Sequence, residues 1–419
     1  MTMRYIINAP KRINTTVDLP ASKSISNRAL IINALAGNDI LPDNLSDCDD
    51  TDVILKALGE MPDTIDIKAA GTAMRFMTAY LAVTPGEHVL TGTERMKRRP
   101  IRALVDALRY LGAGIAYECA EGYPPLRIKG GRLGGGRLEM PGDISSQYIS
   151  ALLMIAPTLE DGLELKLTGK IISRPYIDLT LCMMRSFGAD AEWTDVDTIT
   201  VKPKPYERAK CFIENDWSAA SYWYEALVLC NDPESEIYLT GLTDGSRQGD
   251  SAVKYLFSML GVRTTFGSRE RGLPTTVTLK LVETKPPRMD YDFVNQPDLA
   301  QTFVVCCALS GIPFRFTGLT TLKIKETDRL EALKTEMRKL GFVLREAALG
   351  ELSWNGETCP KADNPVINTY EDHRMAMAFA PAAAVFPGLR IDNPQVVSKS
   401  YPRFWDDLRR AGFTITEED

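Results

Sequence analysis

Along the chain, short alternations of apolar and polar residues repeatedly give way to runs with the 3.6-residue period of a helix. Phe314, Phe316 and Leu319 alternate with small or polar residues, and Leu330, Leu333 and Met337 then follow at helical spacing. The pattern predicts a strand that ends just before Lys325, Glu326, Thr327, Asp328 and Arg329, and a helix that opens on this cluster. The same transition recurs. Leu-Thr-Gly at 90–92, 167–169 and 239–241, and Phe-Thr-Gly at 316–318, each close a strand-like run and precede an irregular polar segment that opens a helix. Helices of this kind end on Gly112, Gly188, Gly261, Gly341 and Gly412, roughly 70 to 80 residues apart, glycine being the residue that accepts the left-handed closing conformation.

A second helix in each unit starts after a small or polar turn, near residues 22, 69, 143, 216, 297 and 371. Six units are visible, the first abbreviated, with three before about residue 213 and three after. The segment KPKPYERAK at 202–210 is charged, proline-containing and linker-like. The expectation is an α/β protein made by duplication, with two similar halves of about 200 residues and ligands bound between them.

Composition narrows the chemistry. With 419 residues, 44% hydrophobic and 25% charged, the chain reads as an ordinary globular protein of two or three domains. The N-terminal apolar run is too short for a signal peptide, and the apolar stretch at 379–389 is broken by Pro381 and Pro387, so a cytoplasmic protein without a membrane span is expected. Eight cysteines occur without a CxxC pair, and Cys306 and Cys307 lie in an apolar helical run, which implies buried thiols rather than disulfides or zinc. His88 and His373 are the two histidines, too few for a histidine-centred metal site or a Ser/His/Asp triad. Acid–base work falls to Lys, Asp and Glu. A net charge of −6 and a pI of about 5.3 argue against broad nucleic-acid binding while allowing a local basic cleft.

The cations that matter stand at helix starts, where unpaired N–H groups and the helix dipole favour anions. Seven residues past the motif glycines stand Arg99, Gln248 and Lys325. Near residue 22 a serine cap accompanies Lys23, Ser24 and Arg28; Gly71 allows close backbone approach; Ser145, Ser146 and Gln147 offer hydroxyl and amide groups. Ser173 precedes Arg174, Pro175 and Tyr176, Asp298 reads as an N-cap, and Arg374 and Lys399 complete the set. Arg99, Arg329 and Arg374 suit bidentate clamping of carboxylate or phosphate, and Glu326 adds a proton carrier. Two phosphorylated carboxylic acids bound side by side would call for about this many cations. No Walker-type glycine loop is present.

The motifs LPASKSISNRAL, AAGTAMR, LTGTERMKRRPI, GDISSQY, SRPYIDLT, KIKETDRL and TYEDHRMAM closely resemble those of the 5-enolpyruvylshikimate-3-phosphate synthase family over essentially the whole chain. The resemblance implies a two-lobed α/β prism, each lobe of three repeated βαβαββ units, with the active site in the interlobe cleft. The lobes would be residues 20–213 and residues 1–19 plus 214–419, the N-terminal segment crossing to complete the second. The implied reaction transfers the enolpyruvyl group of phosphoenolpyruvate to the 5-hydroxyl of shikimate 3-phosphate and releases phosphate, with no metal or organic cofactor. Carried over by motif, Lys23, Ser24, Arg28, Ser145, Ser146, Gln147, Ser173, Asp298 and Lys325 would hold shikimate 3-phosphate. Lys23, Gly71, Arg99, Gln147, Arg329, Arg374 and Lys399 would hold phosphoenolpyruvate. Asp298 would be the base at the 5-hydroxyl and Glu326 the acid/base at the methylene, with Lys23 assisting phosphate departure and Thr327 and Asp328 capping. The implied enzyme is a cytoplasmic monomer without nucleic-acid or membrane partners.

Ala69, Phe76 and Thr321 depart from the family pattern, which commonly has Asn, Pro and Asn there. The nearest rival is the enolpyruvyl transferase that acts on UDP-N-acetylglucosamine. It usually carries Lys-Asn and a reactive loop cysteine, whereas here Ser24 follows Lys23 and RMKRRP at 95–100 lacks cysteine. A non-catalytic anion or RNA-end binding protein of the same architecture would keep the cations without needing Asp298 and Glu326.

Overall fold

The structure is a computed structural model that describes residues 3–268 and 272–418. The chain divides into two compact units: Ala21–Ile213, and Met1–Pro20 with Glu214–Asp419.

In the unit Ala21–Ile213, two four-stranded sheets repeat one topology. In the first, Thr64–Asp66 pairs parallel with Gly86–Thr91, which pairs antiparallel with Leu126–Gly130, which pairs antiparallel with Gly114–Tyr117. In the second, Gly136–Pro141, Leu163–Thr168, Thr198–Val201 and Ala191–Trp193 follow the same order and directions. A parallel pair needs a crossover, and the helices Gly71–Val83 and Ser146–Ile155 supply it. Both are apolar on nearly every side and therefore buried. Where a third sheet would stand, the abbreviated first repeat offers the helices Lys23–Leu35 and Asp49–Glu60, and the chain returns through an isolated bridge between Asp43 and Phe212.

The other unit has three sheets, arranged around the helices Trp217–Cys230, Ala300–Leu309 and His373–Phe379. Two of the sheets recruit the N-terminal segment. Asn14–Asp18 lies parallel to Glu236–Thr243, and Arg4–Asn8 lies antiparallel between Leu389–Asp392 and Thr414–Glu418. Ile7, Ile13, Val17 and Leu19 consequently enter the same core as Trp223, Phe257 and Phe303.

The repeat is geometric as well as sequential. Gly169, Gly241 and Gly318 share φ of 75°, 75° and 74°, the left-handed turn that ends the strand and aims the next segment. Gly92 is different: it is required by close approach, since a Cβ there would stand 2.5 Å from the Lys68 carbonyl oxygen, which cannot move aside as a side chain could. The sixth unit lacks the glycine, and Asn393 takes the left-handed position instead, with φ 48°.

One expected boundary shifts. The strand Phe314–Thr317 is followed by a 3-10 turn, Thr320–Ile324, and the helix proper runs Arg329–Lys339. Asp328 is its N-cap and accepts from the N–H groups of Leu330 and Glu331 at 3.1 Å. Lys325, Glu326 and Thr327 thus lead into the helix instead of forming its first turn, and only Arg329 is helical.

Candidate active site

In the unit Ala21–Ile213 the candidate residues gather at helix starts. Lys23 opens the helix Lys23–Leu35, its Nζ 3.2 Å from Asp50 Oδ2. Ser22 holds the N-cap position but makes no side-chain capping bond, contrary to the expected serine cap. Arg28, one turn on, is buried. Its Nε donates to Thr180 Oγ1 at 2.7 Å, Nη1 to the Ser24 carbonyl at 2.8 Å, and Nη2 to Ser150 Oγ at 3.2 Å and the Tyr176 carbonyl at 3.4 Å. Phe76, the departure after GTAMR, lies beneath the guanidinium with its ring centroid 5.3 Å away. Every one of these partners is neutral, and among the described residues no carboxylate pairs with Arg28. Burial alone pulls its pKa down to about 10, so it keeps its charge in a place that asks for an anion.

Gly71 and Arg99 form the second focus. Gly71 is the first residue of the helix Gly71–Val83, and the Arg99 guanidinium lies against it, so a Cβ there would be 2.9 Å from Arg99 Cζ. Arg99 Nε is buried without a hydrogen-bond partner among the described residues. A guanidinium at a helix N-terminus meets a dipole of the wrong sign, and an anion in the same place satisfies both. Arg75 and Tyr148 fix the approach: Arg75 donates to the Gly71 carbonyl at 3.0 Å and the Pro100 carbonyl at 3.2 Å, and the Tyr148 hydroxyl also donates to Pro100, at 2.5 Å. Neither is among the candidate residues read from the sequence, although Arg75 stands inside the AAGTAMR motif and Tyr148 inside GDISSQY. Gln147 Nε2 reaches Thr72 Oγ1 at 3.1 Å, which brings Gln147 to the same helix start. Ser145 is a true N-cap, its Oγ accepting from the Gln147 N–H at 3.3 Å, with Ser146 buried beside it. Ser173 is buried and left-handed, φ 53°, a strained conformation for a non-glycine residue at the start of Arg174–Ser186.

The other unit holds a dense charged cluster. Arg329 is fully buried and meets three carboxylates: Nη1 to Asp298 at 3.0 Å, Nη2 to Glu326 at 3.0 Å, and Nε to Asp372 at 2.7 Å. Arg374 Nη2 lies 2.9 Å from the second oxygen of Asp298, and its Nη1 donates to the Tyr222 hydroxyl at 3.3 Å. Asp372 also caps the helix His373–Phe379 by accepting from the Arg374 N–H at 2.9 Å. Lys325 Nζ stands 3.8 Å from Asp298 Oδ1, and Lys399 Nζ donates to the Glu371 carbonyl at 2.8 Å. Thr321 falls in the 3-10 turn Thr320–Ile324.

Asp298 is not the N-cap expected from its place after Pro297. It sits within a 3-10 turn, Pro297–Leu299, and its carboxylate is drawn instead to the three cations. Burial works to raise its pKa, but Arg374, Lys325 and Arg329 outweigh burial and hold the carboxyl well below the usual range. Burial likewise opposes the charge of Arg329, yet Asp372, Glu326 and Asp298 keep it firmly protonated. Burial lowers the Lys325 pKa in spite of Asp298. The cluster therefore offers an ionised acceptor in Asp298 and a second carboxylate, Glu326, on the same guanidinium. An anion that approaches Arg329 or Arg374 competes with these carboxylates for the same N–H groups.

Among the described residues no group of three or more His, Cys, Asp or Glu is arranged to hold a metal, and no helix is long and apolar enough to cross a membrane. A cavity of about 740 Å³ lined by Leu229, Leu260, Leu281, Leu309 and Ile312 holds none of the candidate residues.

Comparison with known proteins gives a consistent result. The model of the EPSP synthase (3-phosphoshikimate 1-carboxyvinyltransferase) family matches residues 7–65 and 60–408. The chain is 59% identical to a 3-phosphoshikimate 1-carboxyvinyltransferase of Bacteroides fragilis over 413 residues, 99% of each chain. It is 34% identical to the protein of the same name from Shewanella halifaxensis, over 95% of this chain and 97% of the relative. Among solved structures, an EPSP synthase from Acinetobacter baumannii aligns over the whole of both chains with a TM-score of 0.77 at 20% identity. The enolpyruvyl transferase NikO from Streptomyces tendae aligns over 100% of this chain and 99% of its own with a TM-score of 0.75 at 16% identity. At those identities the structural likeness speaks to the fold. The sequence matches, which run the length of the chain, show that it belongs to the EPSP synthase (3-phosphoshikimate 1-carboxyvinyltransferase) family.

Proposed function

We propose that this chain transfers the enolpyruvyl group of phosphoenolpyruvate to the 5-hydroxyl of shikimate 3-phosphate, a step of aromatic amino-acid biosynthesis. The observation that carries the reading is the pair of carboxylates, Asp298 and Glu326, held on Arg329 within reach of Lys325 and Arg374, in a chain whose full-length relatives bear the enzyme's name. An anion-binding protein needs the cations alone, so the carboxylates argue for catalysis.

In this reading Asp298 takes the proton from the 5-hydroxyl as its oxygen attacks C2 of phosphoenolpyruvate, and Glu326 delivers a proton to C3. The tetrahedral intermediate then loses inorganic phosphate from C2, and the C3 proton returns to Glu326 as the double bond re-forms. The ionised state of Asp298 supports the base role. Lys23, Ser24, Arg28, Ser145, Ser146, Gln147, Ser173, Asp298 and Lys325 are assigned to shikimate 3-phosphate. Arg28 has the best physical support among them, because its buried charge lacks a carboxylate partner among the described residues. Gly71, Arg99, Arg329, Arg374 and Lys399, with Lys23 and Gln147, are assigned to phosphoenolpyruvate, and the Arg99 guanidinium on a helix N-terminus is the strongest support there. Lys23 assists departure of phosphate. The enzyme works as a cytoplasmic monomer without metal or organic cofactor.

A coupled phosphate-release assay tests the proposal. Release is expected with shikimate 3-phosphate and phosphoenolpyruvate together and with neither alone. Release with UDP-N-acetylglucosamine in place of shikimate 3-phosphate would overturn it.

A further inference from the structure

One carboxyl outside the assigned residues stands against the charged cluster without an ion pair of its own among the described residues. Asp250 lies in the 3-10 turn Gly249–Ala252 and is 3% exposed. Its Oδ2 accepts from the Ser218 hydroxyl, and its Oδ1 is buried with no hydrogen-bond partner among the described residues. Ser218 and Tyr222 are four residues apart on the helix Trp217–Cys230, neighbours on one face, and Tyr222 accepts from Arg374. Asp250 thus holds the helix one turn before Tyr222, the residue whose hydroxyl accepts from Arg374. The charges of Asp298, Arg374 and Asp216 reach it, and its own charge reaches Tyr291 on the strand Met289–Asp292, whose hydroxyl donates to Gln296. Lys254, four residues on, is engaged with Asp244 at 2.9 Å.

In the cluster, Lys325, Arg329 and Arg374 meet Asp298, Glu326 and Asp372. We infer that Asp250 gates anion binding at Arg374: as a neutral acid it adds no charge beside the cluster, and as a carboxylate it opposes a substrate phosphate or carboxylate that competes with Asp298 for Arg374. Burial and then the Asp298 charge push its carboxyl up to about 7, against the pull of Arg374 and the Ser218 hydrogen bond. The two forms thus exchange near neutral pH. The inference rests on the proposed function for the identity of the anion. It goes further in making Asp250 a positioning residue that acts through Arg374.

The test compares the native chain with Asp250→Asn, measuring KM for phosphoenolpyruvate from pH 6 to 8.5 at saturating shikimate 3-phosphate. The substrate phosphate itself titrates near pH 6, so the readout is the ratio of native to variant KM, normalised to its value at pH 6. The ratio is expected to climb about tenfold, with a midpoint near 7. Ser218→Ala removes a bond that favours the carboxylate and is expected to move the native profile's midpoint to higher pH. A flat ratio, or a midpoint that ignores Ser218→Ala, overturns the inference, since a purely structural role would change KM alike at every pH. Calorimetric titration of the same chains with inorganic phosphate over the same range reads the gate without turnover. A pH-independent difference there overturns it even if the native chain releases no phosphate from phosphoenolpyruvate, an outcome that would separately defeat the proposed function.

Discussion

Gly71 separates a cost to the fold from a cost to the ligand. An added methyl would meet the far end of the Arg99 side chain, which can swing away, and alanine is a better helix residue than glycine by about 1 kcal/mol. Gly71→Ala is therefore expected to keep or raise the melting temperature while raising KM for phosphoenolpyruvate at least about tenfold, because the displaced guanidinium leaves the helix start. A lowered melting temperature with KM unchanged would reverse that assignment. At the carboxylates, Asp298→Asn and Glu326→Gln are each expected to cut kcat by at least about a hundredfold with both substrates still bound, the usual scale for general acid–base groups. Rapid-quench and binding measurements on the two variants check this, and unimpaired turnover in both removes their roles. The cations of the site were legible because helix starts are local: Lys23, Arg28, Arg99 and Arg374 announce themselves within a few residues of a capping signal. Their partners were not. Arg329 meets Asp298 and Asp372 across 31 and 43 positions of sequence, and Arg374 meets Asp298 across 76, so no local pattern shows that one carboxylate bridges two arginines.

Among helices, the interior one Trp217–Cys230 carries a feature that the apolar pattern hides. Glu225 is fully buried, neither carboxyl oxygen has a hydrogen-bond partner among the described residues, and its charge acts on the thiols of Cys306 and Cys307. Burial raises its pKa well above the ordinary value. The folded state holds this proton more tightly than the unfolded state, so the associated stability is fully present below the unfolded pKa and is lost as pH rises toward the folded one. Glu225→Met, of similar length and apolar, is expected to be more stable than the native chain by about 1 to 3 kcal/mol at pH 8, with a smaller advantage at pH 5. Urea unfolding at the two pH values measures it, and an equal difference at both would mean the carboxyl does not titrate as described. The repeat itself was readable at this scale, because the glycines that close helices and strands announce a left-handed turn. It was lost where Asn393 adopts the same turn, and the 3-10 turn Thr320–Ile324 left no periodic trace because it is barely two turns long.

At the scale of the whole chain, residues 3–20 belong with 214–418, although the other unit separates them in sequence. Their removal takes the strand between Leu389–Asp392 and Thr414–Glu418 out of one sheet and an edge strand out of another. It also withdraws Ile7, Ile13, Val17 and Leu19 from the core, each worth about 1.5 to 3 kcal/mol when buried. The total rivals the 5 to 15 kcal/mol that holds a typical domain together, so residues 214–418 alone are expected not to fold cooperatively. The register suggests the remedy. Arg4 pairs with Glu418 in antiparallel strands, which places the start of one beside the end of the other, and a short hairpin linker closes such a gap at small entropic cost. A permuted chain running 214–418, a short Asn-Gly linker and 3–20 is expected to melt in one transition with protected amides in Arg4–Asn8, while 21–213 folds separately on its own two sheets. Circular dichroism melts and amide exchange of the three chains decide the matter. A cooperative fold for 214–418 without the N-terminal strands would show that burial of those four side chains is dispensable.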